Sequence, residues 1–199
     1  LTAAHRNFKD PNHKPELVYA LTPYRAMNGF REFSDIVSLI QSLKLPALQA
    51  EIDAFCQNPQ SDTLKALFGA SLRVQGEARS ATVAALLAVA KERQSEDAFA
   101  EVLRLSAFYP EDMGLFAPLL LNVITLQPGE SMFLYASTPH AYLQGVGLEA
   151  MASSDNVLRA GLTPKHMDVD ALQSFIKEKT SSGIAMVIMT ITNNSGGGQ

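Results

Sequence analysis

Cysteine is nearly missing from this chain: among 199 residues there is one, Cys56. That excludes an internal disulfide framework and any metal cluster built on thiolates. Cys56 stands in Ile52-Asp-Ala-Phe-Cys56, where a free thiol is expected to pack as a small hydrophobe and not to act as a nucleophile. Long apolar runs are missing too. None approaches the roughly 20 residues a bilayer-spanning helix needs, and no leader pattern opens the sequence. No membrane partner and a cytoplasmic location are therefore expected. Nor does one sign of charge dominate: 16 Lys and Arg against 20 Asp and Glu leave a formal net charge of −4. Without a basic tract or an aromatic–basic stripe there is no electrostatic footprint for nucleic acid.

What remains is ordinary globular material, 47% apolar and 18% charged, enough to bury the core of one large domain or two small ones. Residues 1–28 are irregular and punctuated by Pro11, Pro15 and Pro23. The stretch 29–110 has helical spacing. Phe30, Phe33, Ile36, Val37 and Ile40 share one face, Asp62 is placed to cap a helix carrying Leu64, Leu67 and Leu72, and Ala81 to Val89 is rich in alanine. A further helix over Phe99 to Ala107 ends before Pro110.

From 111 to 166 the pattern changes. Leu119 to Leu126 reads as a buried strand, Gln127-Pro-Gly-Glu130 as a turn and Ser131 to Ala136 as a second strand, together a hairpin. A histidine follows, a rhythm shared by cupin half-barrels and by many other antiparallel sandwiches. Residues 167–199 open with a helical stretch, Val169 to Lys179. An apolar run without an obvious partner, Ile184 to Ile191, comes next, and then a Gly-rich end of linker composition. The chain starts Leu1-Thr2-Ala3 without an initiator Met, so both ends are expected to be cut or replaced.

Two segments concentrate chargeable groups. The first is Asp10-Pro-Asn-His-Lys-Pro-Glu16. The second runs from His140 to Lys165 and holds Glu149, Asp155, Arg159 and Lys165 among glycines and small residues. His and Glu are zinc donors, which makes Glu16 and His140 candidate metal ligands. Lys14, Arg159 and Lys165 could hold a phosphate, arginine as a planar fork and lysine as a point charge. Glu149 and Asp155 could transfer protons, although Ser154-Asp-Asn156 is also plain turn chemistry. Gly145-Val-Gly147 is no dinucleotide fingerprint, because no strand–turn–helix unit surrounds it. Among His5, His13 and His166, only His13 stands inside a motif.

Both segments closely resemble the signature segments of the type I phosphomannose isomerases, including Asn12-His-Lys-Pro-Glu16, Met151-Ala152, Ser154-Asp-Asn156, Arg159-Ala-Gly161 and Thr163-Pro-Lys165. The resemblance extends from about Ala4 to His166. It implies an α+β fold, a partial cupin or jelly-roll β-barrel with an inserted all-helical domain. It also implies a zinc-dependent interconversion of mannose 6-phosphate and fructose 6-phosphate through an enediol, with one Zn2+ per chain in a monomer. Carried over residue by residue, Glu16 and His140 are metal ligands, Arg159, Glu149 and Asp155 catalytic, and Lys14, Tyr142 and Lys165 substrate-binding. The family's other two zinc ligands belong to a Gln-x-His segment ahead of Glu16, and none is present here. Two of four ligands are therefore expected to be absent. A non-catalytic sugar-phosphate-binding domain that has lost the metal is the alternative.

Overall fold

Along Glu-Leu-Val-Tyr-Ala, residues 16–20, buried and exposed side chains alternate, the period-two pattern of a strand with one face in a core. A computed structural model describes residues 12–154 and the backbone of 187–188 and 191–192. Among these, two compact units separate, one from residues 12–28 and 124–154, the other from Gly29–Val123.

In the first unit, β1 (Glu16–Ala20) breaks at Leu21-Thr-Pro23 and resumes as β2 (Tyr24–Phe30). Both halves run antiparallel along β5 (His140–Met151): Glu16 faces Met151, Ala20 faces Gly147, Arg25 faces Gln144 and Asn28 faces His140. They act as one strand with a crease. At the crease Leu21 and Thr22 both donate backbone N–H to Val146 O, at 2.9 and 3.2 Å, and Val146 N–H donates to Thr22 Oγ1 at 2.9 Å. Gly145 has φ +114°, and a Cβ there would lie 2.6 Å from the Pro23 carbonyl oxygen, so only glycine fits.

The crease matters because β5 must curl. Tyr142 and Glu149 are 7 positions apart yet share a hydrogen bond. Flat strand geometry would separate their Cα atoms by about 23 Å.

The sheet runs β3 (Leu121–Leu126), β2, β5, β1, β4 (Ser131–Leu134). The turn between β3 and β4 forms as expected, with Gly129 at φ +94°, but the hairpin does not. Gly129 N–H donates to Ala20 O and Ala20 N–H to Glu130 O, both at 2.9 Å. The turn is thereby tied to the crease, so β3 neighbours β2 while β4 pairs with β1. The expected strand start at Leu119 also shifts: Pro118 near the start of a helical turn, α6 (Ala117–Leu120), leaves Leu121 to open β3. Val18, Ala20, Tyr24, Ala26, Met132 and Leu134 fill the core of this unit.

The apolar run near the end of the chain was expected to lack a partner. Instead β6 (Val187–Ile188) and β7 (Ile191–Thr192) pair antiparallel with β5, Val187 facing Ala150 and Ile191 facing Val146. The helix expected over Val169 to Lys179 lies outside the described residues.

The second unit is helical: α1 (Phe33–Ile40), α2 (Gln49–Gln57), α3 (Ser61–Arg73), α4 (Gly76–Glu92) and α5 (Asp97–Ser106), then a 3₁₀ turn at Met113–Phe116 leading into α6. Phe30 belongs to β2, not to the first helix. Asp62 lies inside the first turn of α3, and the cap falls on Gln60, whose N–H donates to Thr63 Oγ1 at 3.3 Å. Arg93, just past α4, caps Leu39 O at 2.9 Å, pairs with Glu96 at 2.6 and 2.8 Å and lies 4.2 Å over the Phe99 ring. Cys56 is half-buried, and burial with Asp53 nearby pushes its thiol pKa up, as fits a packing residue.

Candidate active site

The two charged motifs meet because β1 and β5 are register partners. Pro15 O accepts Ala152 N–H at 3.1 Å and Asn12 Nδ2 donates to Ser153 O at 3.3 Å. This fixes Glu16, the first residue of β1, with only 8% of its surface exposed. Lys14 Nζ lies 3.4 Å from Glu16 Oε1.

On the other half of curled β5, His140 brings Nε2 to 3.2 Å from Glu16 Oε2. Its Nδ1 is 2.8 Å from Thr138 O. A carbonyl can only accept, so Nδ1 carries a proton and Nε2 is the atom turned to the carboxylate. Tyr142 donates its hydroxyl to Glu149 Oε1 and also reaches Glu16 Oε2 at 3.4 Å. Its ring is stacked at a tilt on His140, with centroids 5.5 Å apart, and meets Tyr24 edge-on at 5.7 Å. Glu149 is 6% exposed.

The titrations follow from this crowding. Burial alone would push Glu16 up, but the His140 hydrogen bond and the charges of His140 and Lys14 hold it below the usual carboxylate range. Burial would lower His140, yet its bonds to Glu16 and Thr138 and the charges of Glu16 and Glu149 raise it. Glu149 is pushed up, by burial first and then by the charge of Glu16, against the lowering effect of the Tyr142 bond. Tyr142 is raised as well, by burial and by Glu149. One carboxylate thus favours its charged form and its neighbour the neutral one, the separation expected of acid–base partners.

Of the residues singled out in the sequence, Lys14, Glu16, His140, Tyr142 and Glu149 converge. Asp155, Arg159 and Lys165 lie outside the described residues, as do His5 and His166. His13 is exposed. Thr138 and Tyr24 were missed. A backbone carbonyl leaves no trace in sequence, and a tyrosine after a proline carries no distinctive one.

The donor set of Glu16 and His140 fits zinc in type. An imidazole whose second nitrogen donates to a backbone carbonyl is oriented as ligating histidines are. Among the described residues, no group of three or more His, Cys, Asp or Glu is arranged to hold a metal ion.

A curled antiparallel half-barrel bearing buried carboxylates and an imidazole, with a helical insertion, is a cupin-type arrangement. Comparison with known proteins makes it specific. Residues 39–121 match the phosphomannose isomerase type I helical insertion domain, and residues 1–33 match the catalytic domain of the same family. The chain is 55% identical over 177 residues to mannose-6-phosphate isomerase of Salmonella typhimurium and to that of Escherichia coli, and 39% identical over 186 residues to that of Rattus norvegicus. A zinc-bound crystal structure of mannose 6-phosphate isomerase superposes with a TM-score of 0.73 at 56% identity, covering 87% of this chain and 43% of that one. The chain belongs to the type I phosphomannose isomerase family. It aligns with 89% of its own length but 44% of that of the two bacterial relatives.

Proposed function

We propose that this chain carries part of the active site of a zinc-dependent isomerase that interconverts mannose 6-phosphate and fructose 6-phosphate. The observation behind this reading is the convergence of Glu16, His140 and Glu149 within one hydrogen-bonded cluster. Glu16 and His140 would hold the zinc, which when bound would offset negative charge developing on the sugar oxygens.

Aldose–ketose exchange moves a proton between C1 and C2 by way of an enediol, and that proton needs a carrier. Glu149 is suited to it: buried, raised in pKa and bonded to Tyr142. Asp155 is a second proton-transfer group. Lys14, Arg159 and Lys165 take the phosphate, and Arg159 is also assigned to the reacting end of the sugar. Tyr142 was read from sequence as a substrate contact. Its engagement with Glu149 supports a role in holding that carboxylate as well. On the same reading the protein is a cytoplasmic monomer whose partner is a small sugar phosphate, with neither nucleic acid nor membrane involved. Among the described residues, no helix is long and apolar enough to cross a membrane.

One observation favours a second reading, a sugar-phosphate-binding domain without metal: the described residues supply only a pair of zinc donors. A coupled assay for fructose 6-phosphate formation, run beside zinc content per chain, separates the two. Turnover that tracks zinc supports the isomerase. Binding of mannose 6-phosphate with neither zinc nor turnover supports the alternative.

A further inference from the structure

The crease between β1 and β2 does more than bend the sheet around β5. A Cβ on Gly145 would come 2.8 Å from Tyr24 Cα and 3.0 Å from its Cδ2, and one on Gly147 would come 3.1 Å from Cε2 and 3.3 Å from Cδ2 of the same ring. The Tyr24 ring therefore lies in the space that two missing side chains leave open. It is buried, 1% exposed, and it meets the Tyr142 ring edge-on at 5.7 Å, an interplanar angle of 61°. Tyr142 in turn reaches both Glu149 and Glu16. Strand crease, Tyr24, Tyr142 and Glu149 form a single line of contacts.

We infer that Tyr24 is a positioning residue for the isomerisation: seated on Gly145 and Gly147, its ring fixes Tyr142, and Tyr142 fixes the carboxyl of Glu149. The inference rests on the reading of Glu149 as a proton-transfer group. The geometry assigns the work to the ring. Edge-to-face aromatic contact is directional, and Tyr142 has to keep its hydroxyl on one carboxylate while crossing near another. An aliphatic side chain at position 24 would fill volume without setting that angle. Small displacements of a reacting group are costly, on the order of a hundredfold in rate for about 1 Å.

Two substitutions in the full chain test this, each first checked for folding by circular dichroism. Tyr24→Phe keeps the ring and is expected to leave the 13C resonance of Tyr142 Cζ, zinc content and kcat as they are. Tyr24→Leu is expected to shift that resonance and to lower kcat by about tenfold to a hundredfold, with KM and zinc unchanged. An unmoved resonance in folded Tyr24→Leu overturns the inference, as does a Tyr24→Phe effect as large as that of Tyr24→Leu. Should Tyr24→Leu not fold, Gly147→Ala decides. Its methyl would lie 3.0 Å from the Tyr19 carbonyl oxygen and 3.1 Å from the Tyr24 ring, so it must displace the ring and with it the Tyr142 resonance, and an unmoved one overturns the inference. The resonance needs no turnover, so an inactive wild-type chain would count against the isomerase reading and leave this test intact.

Discussion

His140 Nε2 lies 3.2 Å from Glu16 Oε2, which joins the first residue of β5 to the first residue of β1. Each side chain is held by its own neighbours, His140 by Thr138 O and Glu16 by Lys14. If this pair is the metal site, Glu16→Ala and His140→Ala each lose zinc and turnover together. Atomic absorption on purified variants checks the metal, and wild-type zinc in either one removes that residue from the ligand set.

The same pair dictates a pH dependence for the metal-free protein. His140 is raised in the fold, so its contribution to stability is complete below the unfolded value of about 6.5 and disappears as pH rises through the folded value. Glu16 is lowered, so its contribution is complete above about 4.3 and disappears as pH falls through the folded value. Urea midpoints measured from pH 4 to 9 should therefore peak between these limits, and His140→Asn should flatten the alkaline side. Zinc should show the opposite trend on that side, binding more tightly as His140 loses its proton. An alkaline limb in the metal-free protein that is unaffected by His140→Asn would contradict the pairing.

Gly145→Ala should be among the most damaging single-methyl changes in the sheet unit. Its φ of +114° disfavours any side chain, and the new Cβ would sit 2.6 Å from Pro23 O. Backbone strain of this kind costs about 1–3 kcal/mol, and the clash adds to it. A melting temperature within a degree of wild type would show that the crease is softer than described.

In the helical unit, Phe99 is fully buried beneath the Arg93 guanidinium. Phe99→Ala should cost about 3–5 kcal/mol, read from urea unfolding, while zinc content stays at the wild-type value.

Arg159→Ala, in a version of the protein spanning the full length of its relatives, should abolish turnover and leave zinc nearly unchanged. Loss of zinc in that variant would give the arginine a structural role instead.

Much of this was legible in the sequence because the chemistry is local. The Asn12 to Glu16 and His140 to Glu149 segments carry five of the converging side chains, and the spacing of Ile36 and Ile40 or Leu64 and Leu67 marks helices whatever they pack against. What was not legible depends on distant partners. The Gln127–Glu130 turn looks like a hairpin because its residues favour one, but Ala20, far away in sequence, takes its hydrogen bonds and sends β3 and β4 to different neighbours. Asp62 is a good capping residue two positions too late, since Gln60 and Thr63 already satisfy the start of α3. Tyr24 stayed hidden for the same reason: its value depends on two glycines that the pairing of β1 and β2 along β5 brings beneath it.

The most direct test is zinc titration of the wild-type chain beside Glu16→Ala and His140→Ala, with fructose 6-phosphate formation followed in the same samples. The account predicts zinc bound by the wild-type chain and lost from both variants, with any turnover lost alongside it. Equal zinc in all three would contradict it.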